Sequence, residues 1–226
     1  IMNLANGEVL VFGALASFWL YTTSQISPLL TIILVIPISF LGNWLIYRFL
    51  LTPLVKRSKT QGHLEVDSIL ATFGMSFILI GIMVSIEGGF FAYKYLSMPI
   101  SVIGSTTSLN RLIAFIIAVF IGFMLYLWLN HTRSGVAVRA VSVSTEASGL
   151  VGINVPRVSA LAFALGGAIT AVGGALISTF ITLDASIGVV FTLKALIIVI
   201  MGGVGDIRGA IVAAVILGVV ETTVAT

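Results

Sequence analysis

The sequence predicts an all-α polytopic membrane protein: a helix bundle with discontinuous, re-entrant helices and a short helix outside the membrane. Two observations carry that prediction. Of 226 residues, 59% are hydrophobic and 8% charged, and the mean hydropathy is +1.21, whereas about a quarter of residues are charged in soluble domains. The apolar residues also gather in continuous runs that approach or exceed the roughly 20 residues needed to cross hydrocarbon. The short alternating segments of a β-barrel do not occur. The net charge of +3 does not point to nucleic acid, because the basic residues sit in loops beside the apolar runs. Without cysteine there is no disulfide, thiolate or Cys-based metal site. His63 and His131 are loop residues beside positive charge, and no metal site is expected.

The elements follow in order. Residues 9–23 are apolar but too few to cross the hydrocarbon at 1.5 Å per residue. Residues 28–51 make a full span, with Pro28 suited to a first turn and Pro37 expected to kink it. A polar loop leads to a second span at 66–86, and a longer loop to a third at 111–129. A small-residue island at 130–156 comes next, and then a fourth span at 157–181. Residues 189–201 are again short, followed by GGVGDIRG and an apolar stretch at 210–220. No cleavable signal peptide is visible. The opening IMNLANGE and the closing LGVVETTVAT both read as interiors of elements. Residues 1–226 are therefore taken as one transmembrane domain, with a further helix expected before and after.

Alternating the spans gathers Arg48, Lys56, Arg57, Lys59, Arg133, Arg139, Arg157 and Arg208 on one side, and leaves Lys94, Arg111 and Lys194 on the other. Eight against three fits the positive-inside rule and makes the island cytoplasmic. Lys194 can snorkel to the outer interface, and Trp44, Trp128, Tyr47, Tyr93 and Tyr95 suit interfacial belts. Small residues recur at four-residue spacing in the fourth span, as Gly166, Thr170, Gly174 and as Gly167, Ala171, Ala175. Such rows let helix backbones approach closely, for packing inside the bundle or at a subunit interface.

Within the island, Ser144 or Thr145 can cap a short helix, with Glu146 in its first turn facing the positive end of the helix dipole. Gly152 suits the left-handed residue that ends it, and Pro156 restarts the chain into the next span. Glu146, Ala147, Ser148 and Gly152 match the E-A-A-x-x-x-G signature of ABC-importer permeases, with Ser for the second Ala. Three further motifs resemble one family in order. IMNLANGEVLVFGA carries Asn3, Leu4, Ala5, Gly7, Glu8 and Gly13. The island carries Thr132, Arg133, Gly135, Ala137, Arg139 and Ala140, and MGGVGDIRGA carries Gly202, Gly203, Gly205, Gly209 and Ala210, with Asp206 for the usual Ser. Together they resemble the permeases of branched-chain amino-acid ABC importers, a family that includes urea and short-amide importers, and the first motif is more similar to its H-type partner.

That resemblance implies a plasma (inner) membrane protein paired with a second, homologous permease. It further implies two cytoplasmic ATP-binding subunits that use ATP and Mg, and an extracytoplasmic solute-binding protein. This chain would bind no cofactor itself, and it has no G-x-x-x-x-G-K-[ST] phosphate loop. Arg133, Gly135, Arg139, Ala140, Glu146, Ala147, Ser148, Val151 and Gly152 become the expected coupling surface for the ATPases. Asn3, Asn6, Gly7 and Glu8 are candidates for the translocation path, with Thr72 and Ser76, because polar turns joined to short helices line aqueous routes in transporters. Structural roles compete throughout. Thr72 and Ser76 can serve helix packing, and Asp206 can cap a helix from Gly209. Glu8 in lipid costs on the order of 3 kcal/mol, so a structural role is equally open to it. Gly202, Gly203, Gly205, Asp206 and Gly209 are expected to form a re-entrant turn. An ion-coupled secondary transporter is the alternative. A G-x-G-D aspartyl peptidase is weaker, because it needs a second carboxylate and Asp184 is expected at the opposite face.

Overall fold

The computed structural model describes residues 3–57, 61–102 and 105–224. Lys59, counted above among the basic loop residues, lies outside them, as do Ile1, Thr226 and the side chain of Lys56. The chain folds into α1 (Asn6–Ser24), α2 (Pro28–Ile46), a π-turn (Tyr47–Leu51), α3 (Thr52–Arg57) and α4 (Gln61–Ile86). A hairpin of β1 (Pro99–Val102) and β2 (Ser105–Ser108) precedes α5 (Leu109–His131), α6 (Arg133–Val143) and α7 (Thr145–Leu150). The chain continues through α8 (Val155–Ile177), α9 (Gly188–Gly202) and α10 (Ile207–Val224). Among the described residues, five helical stretches are long and apolar enough to cross a membrane: Pro28–Val55, Gly62–Ile86, Leu109–His131, Val155–Ile177 and Ile207–Val224.

Helix α8 is the hub, packing along both α1 and α2. Its buried stripe runs through Ala160, Ala164, Gly167, Ala168, Ala171, Gly174 and Ala175. A Cβ at Gly174 would stand 1.8 Å from the Leu10 carbonyl oxygen, and one at Gly13 would stand 2.2 Å from that of Ala171. The two backbones are therefore in direct contact. Of the two rows read from the sequence, Gly167–Ala171–Ala175 is the buried one, with Gly174 beside it. Gly166 points into open space and Thr170 bonds back to the Gly166 carbonyl. Gly167 leaves room for the buried side chain of Asn43 on α2.

Ser17 and Ser178 share the Tyr93 hydroxyl at 2.8 and 3.0 Å, so α1 and α8 run in the same direction. Burial pushes the Tyr93 phenol above its ordinary range, and the two serine bonds offset part of that. Tyr93 stacks on Tyr21, while Phe91 bridges to Leu183 in a single antiparallel pairing. That end of the molecule carries the β-hairpin, which the sequence pattern did not predict.

The opposite end is basic. Arg48, Arg57, Arg133, Arg139 and Arg157 lie at helix ends that α8 and α5 bring together there, and Arg208 reaches Tyr126 near the end of α5. Three expectations change. Helix α2 runs unbroken through Pro37, and the irregularity falls at 47–51, where the Thr52 N–H reaches the Tyr47 carbonyl. Pro53 has no N–H and its ring crowds the preceding turn, so a widened turn just before it relieves the conflict. Tyr47 is buried against Phe163 rather than placed in an aromatic belt. The last helix begins at Ile207 and runs 18 residues, long enough to span.

The α1–α8 seam predicts opposite effects at neighbouring glycines. Gly174→Leu should destabilise the protein by at least about 3 kcal/mol, the upper end of overpacking costs, because backbone cannot yield as a side chain can. Gly166→Ala should leave stability unchanged or slightly raised. Thermal unfolding in detergent distinguishes the two.

Candidate functional site

Two regions bring the motif residues together. The first is the start of α1. Asn3 donates to the Asn6 side chain at 2.8 Å and accepts from the Ala5 N–H at 3.0 Å, closing a polar turn ahead of the helix. That turn is tied to two other helices. The Leu4 N–H donates to Thr72 on α4 at 3.2 Å, and the Gly7 N–H donates to Thr192 on α9 at 2.9 Å. The Thr192 hydroxyl in turn donates to the Leu4 carbonyl at 3.2 Å. Gly7 lies so close to Gly188 that a Cβ would stand 1.7 Å from the Gly188 oxygen. Since Thr72 falls near the middle of α4, the turn sits midway through the bundle, where the N-terminal ends of α1 and α9 meet.

Glu8 is fully buried beside this contact, and neither carboxylate oxygen has a hydrogen-bond partner. It occupies the first turn of α1, where the helix dipole favours negative charge. That offsets only part of the cost of a buried, unpaired acid, commonly about 1–3 kcal/mol and more when charged. Ser76, by contrast, bonds to the Phe73 carbonyl of its own helix and does not join the cluster. Thr192 and Asn43 were not singled out from the sequence. Asn43 donates to the Ser39 carbonyl, and its own oxygen is buried without a partner.

The second region is the basic end. The island holds two helices where one was expected. Thr132 caps α6 by accepting from the Gly135 N–H at 3.1 Å. A Cβ at Gly135 would stand 2.2 Å from the Trp128 oxygen, so the elbow between α5 and α6 requires glycine. Arg139 donates back to Asn130 on α5 at 2.6 Å, while Arg133 is exposed and Ala140 half-buried. Ser144 breaks the helix and caps α7, accepting from the Ala147 N–H at 3.2 Å, with Glu146 in the first turn. Ser148 is buried, and Gly152 has φ +82°. Asn154 then caps α8, with Pro156 in its first turn. The tip of this assembly is apolar: Val143, Leu150 and Val151 are 87%, 90% and 75% exposed.

The α9–α10 turn lies at the same end, beside Tyr126 and across from Asn130 and Arg139. Gly209 lies against the Gly202 carbonyl, Gly203 and Gly205 have φ of +87° and +92°, and Asp206 caps α10 by accepting from the Arg208 N–H at 3.0 Å. The Arg208 guanidinium bonds the Tyr126 hydroxyl and lies 4.9 Å from its ring centroid. A cavity of about 570 Å³ separates this turn from Asn130 and Arg139. Asp184 stands in the α8–α9 loop, where the Ser186 hydroxyl and amide hold its carboxyl below the usual range. Asp184 and Asp206 therefore flank α9 at its two ends, separated by 15 helical residues, roughly 22 Å. A shared-proton dyad cannot form across that distance. Among the described residues no group of three His, Asp or Glu side chains is placed to hold a metal.

The Thr192 clasp makes a specific prediction. Thr192→Val strands the Gly7 N–H and Leu4 carbonyl and should cost about 1–3 kcal/mol in thermal unfolding, whereas Thr192→Ser should retain most of that stability.

The family model described as the branched-chain amino acid transport system permease component matches residues 1–226. The high-affinity branched-chain amino acid transport system permease protein LivH of Salmonella typhimurium is 30% identical over 98% of this chain and 75% of its own length. LivH of Escherichia coli is 28% identical with the same coverage, and the BraD permease of Pseudomonas aeruginosa is 25% identical over 98% of this chain and 75% of its own. No solved structure matches the chain. The chain therefore belongs to the permease-component family of the branched-chain amino acid transport system.

Proposed function

We propose that this chain is the transmembrane subunit of an ATP-driven importer for branched-chain amino acids or a related small polar solute such as urea or an amide. Its basic end faces the cytoplasm of a plasma-membrane transporter. The partners are a second homologous permease, two cytoplasmic ATP-binding subunits and an extracytoplasmic solute-binding protein. The observation that carries the reading is the braced, apolar-tipped pair α6–α7, held between the end of α5 and the start of α8.

The physical logic is mechanical. The chain has no phosphate loop, so energy must arrive from another subunit. A helix capped by Ser144, stopped at Gly152 and rejoined to α8 through Asn154 and Pro156 moves with its neighbours as one piece. Exposed Val143, Leu150 and Val151 supply an apolar contact for the ATPase, and Glu146 a charged one at its edge. Force applied there tilts α5 and α8. Because α8 contacts the α1 backbone directly, the tilt reaches the Glu8 turn. An ion-driven transporter has no comparable use for a rigid helix pair outside the membrane.

Two island variants test the coupling. Gly152→Val forces a branched side chain into a positive-φ position, and Glu146→Trp blocks the docking edge. Both should remain folded and assembled, hydrolyse ATP, and lose most ATP-driven solute uptake in proteoliposomes. Normal uptake by both variants would overturn the assignment of the coupling surface.

A further inference from the structure

Lys194 of α9 and Glu221 of α10 form an ion pair that the transport reading leaves unused. Both helices meet at the basic end, and their residue positions set the depth of the pair. Lys194 lies 8 residues before Gly202 (202 − 194) and Glu221 lies 14 residues after Ile207 (221 − 207). At 1.5 Å per residue these are roughly 12 and 21 Å from the turn, both less than the thickness of a hydrocarbon layer of about 30 Å. Both side chains are nevertheless exposed on the flank of the subunit, at 37% and 54%. The Lys194 ammonium lies over the Phe191 ring at 5.8 Å from its centroid.

Charges at this depth avoid lipid tails and face a protein interior or a water-filled cavity. Lys194 stands on α9, the helix that clasps the polar turn at 3–7 through Thr192, and Glu221 stands on α10 beside it. Resting on the reading of the chain as an importer permease, we propose that Lys194 and Glu221 line the translocation path as an exchange site for a zwitterionic α-amino acid. The cargo carboxylate takes the Lys194 ammonium and the cargo ammonium takes the Glu221 carboxylate, each replacing one half of the resident pair. An α-amino acid carries its ammonium and carboxylate groups on a single carbon, so it satisfies both residues at once. A neutral amide or urea offers only dipoles and leaves the ion pair closed on itself. The site therefore favours amino acids over the other solutes the proposed function admits.

The absence of cysteine in the chain makes the test direct. Glu221→Cys, in the complete importer in proteoliposomes, is exposed to a membrane-impermeant cationic methanethiosulfonate in the resting and vanadate-arrested states. Modification is expected in at least one state, slowed by L-leucine delivered on the binding protein. K194Q/E221Q, which leaves no lone charge, should assemble and hydrolyse ATP like the parent yet take up L-leucine about ten-fold more slowly or worse. K194R/E221D should restore uptake, which a merely structural pair would not require. Absence of modification in both states puts the pair in a lipid or subunit contact and overturns the proposal, whether or not the double variant assembles. Leucine uptake at the parental rate by K194Q/E221Q also overturns it. A parent that imports urea or a short amide but no α-amino acid overturns the proposal and leaves the transport reading standing, whereas a parent that imports none of these solutes overturns the transport reading itself.

Discussion

The bundle depends on a direct contact between two helix backbones. At Gly13 and Gly174, α1 and α8 touch through carbonyl oxygens and Cα atoms, with no side chain between them. Water supplies no drive for helix association inside a bilayer, so packing at this range is the cohesive force available. The contact makes α1 an internal strut. It fixes the depth at which the helix begins, and so places the polar turn, Gly7 and Glu8 midway through the molecule. A second backbone contact, Gly7 against Gly188, adds the N-terminal end of α9 to the same point. Any one of these glycines enlarged to a branched residue would separate elements that the site needs together.

The two ends of the bundle are built differently, and the difference suits a transporter. The end with the hairpin is tied by aromatic stacking of Tyr21 and Tyr93 and by the Phe91–Leu183 pairing. The basic end is made of short capped helices joined by glycine turns at Gly135, Gly152, Gly203 and Gly205. Such elbows keep α6 and α7 rigid as pieces and allow them to move as a unit with α5 and α8. The cavity between Arg139 and the α9–α10 turn leaves room for that movement. Between the two ends, Glu8 is buried with neither carboxylate oxygen hydrogen-bonded.

Local features were legible in the sequence because their physics is local. The Ser144 cap, the Gly152 stop, the Pro156 restart and the Asp206 cap each depend on residues within a few positions of one another. The long apolar helices follow from composition alone. What remained illegible depends on distant partners. Thr192 is one hydroxyl in an apolar helix until folding brings it to Gly7, 185 residues away. Glu221 reads as a terminal polar residue until α10 returns it to Lys194. The break between α6 and α7 was missed because small residues carry helix and turn equally well. Pro37 misled for a related reason: a proline marks a lost hydrogen bond, but tertiary packing decides where the backbone adjusts, here at 47–51.

The central claim is that this chain opens in response to ATP hydrolysed by a separate subunit that pushes on its basic end. The most direct measurement is accumulation of radiolabelled leucine in proteoliposomes containing both permeases, the two ATPase subunits and a leucine-loaded binding protein. Accumulation should require ATP and all the subunits, and should persist when sodium and proton gradients are collapsed. Accumulation that proceeds without the ATPase subunits, and stops when an ion gradient is collapsed, would contradict the account.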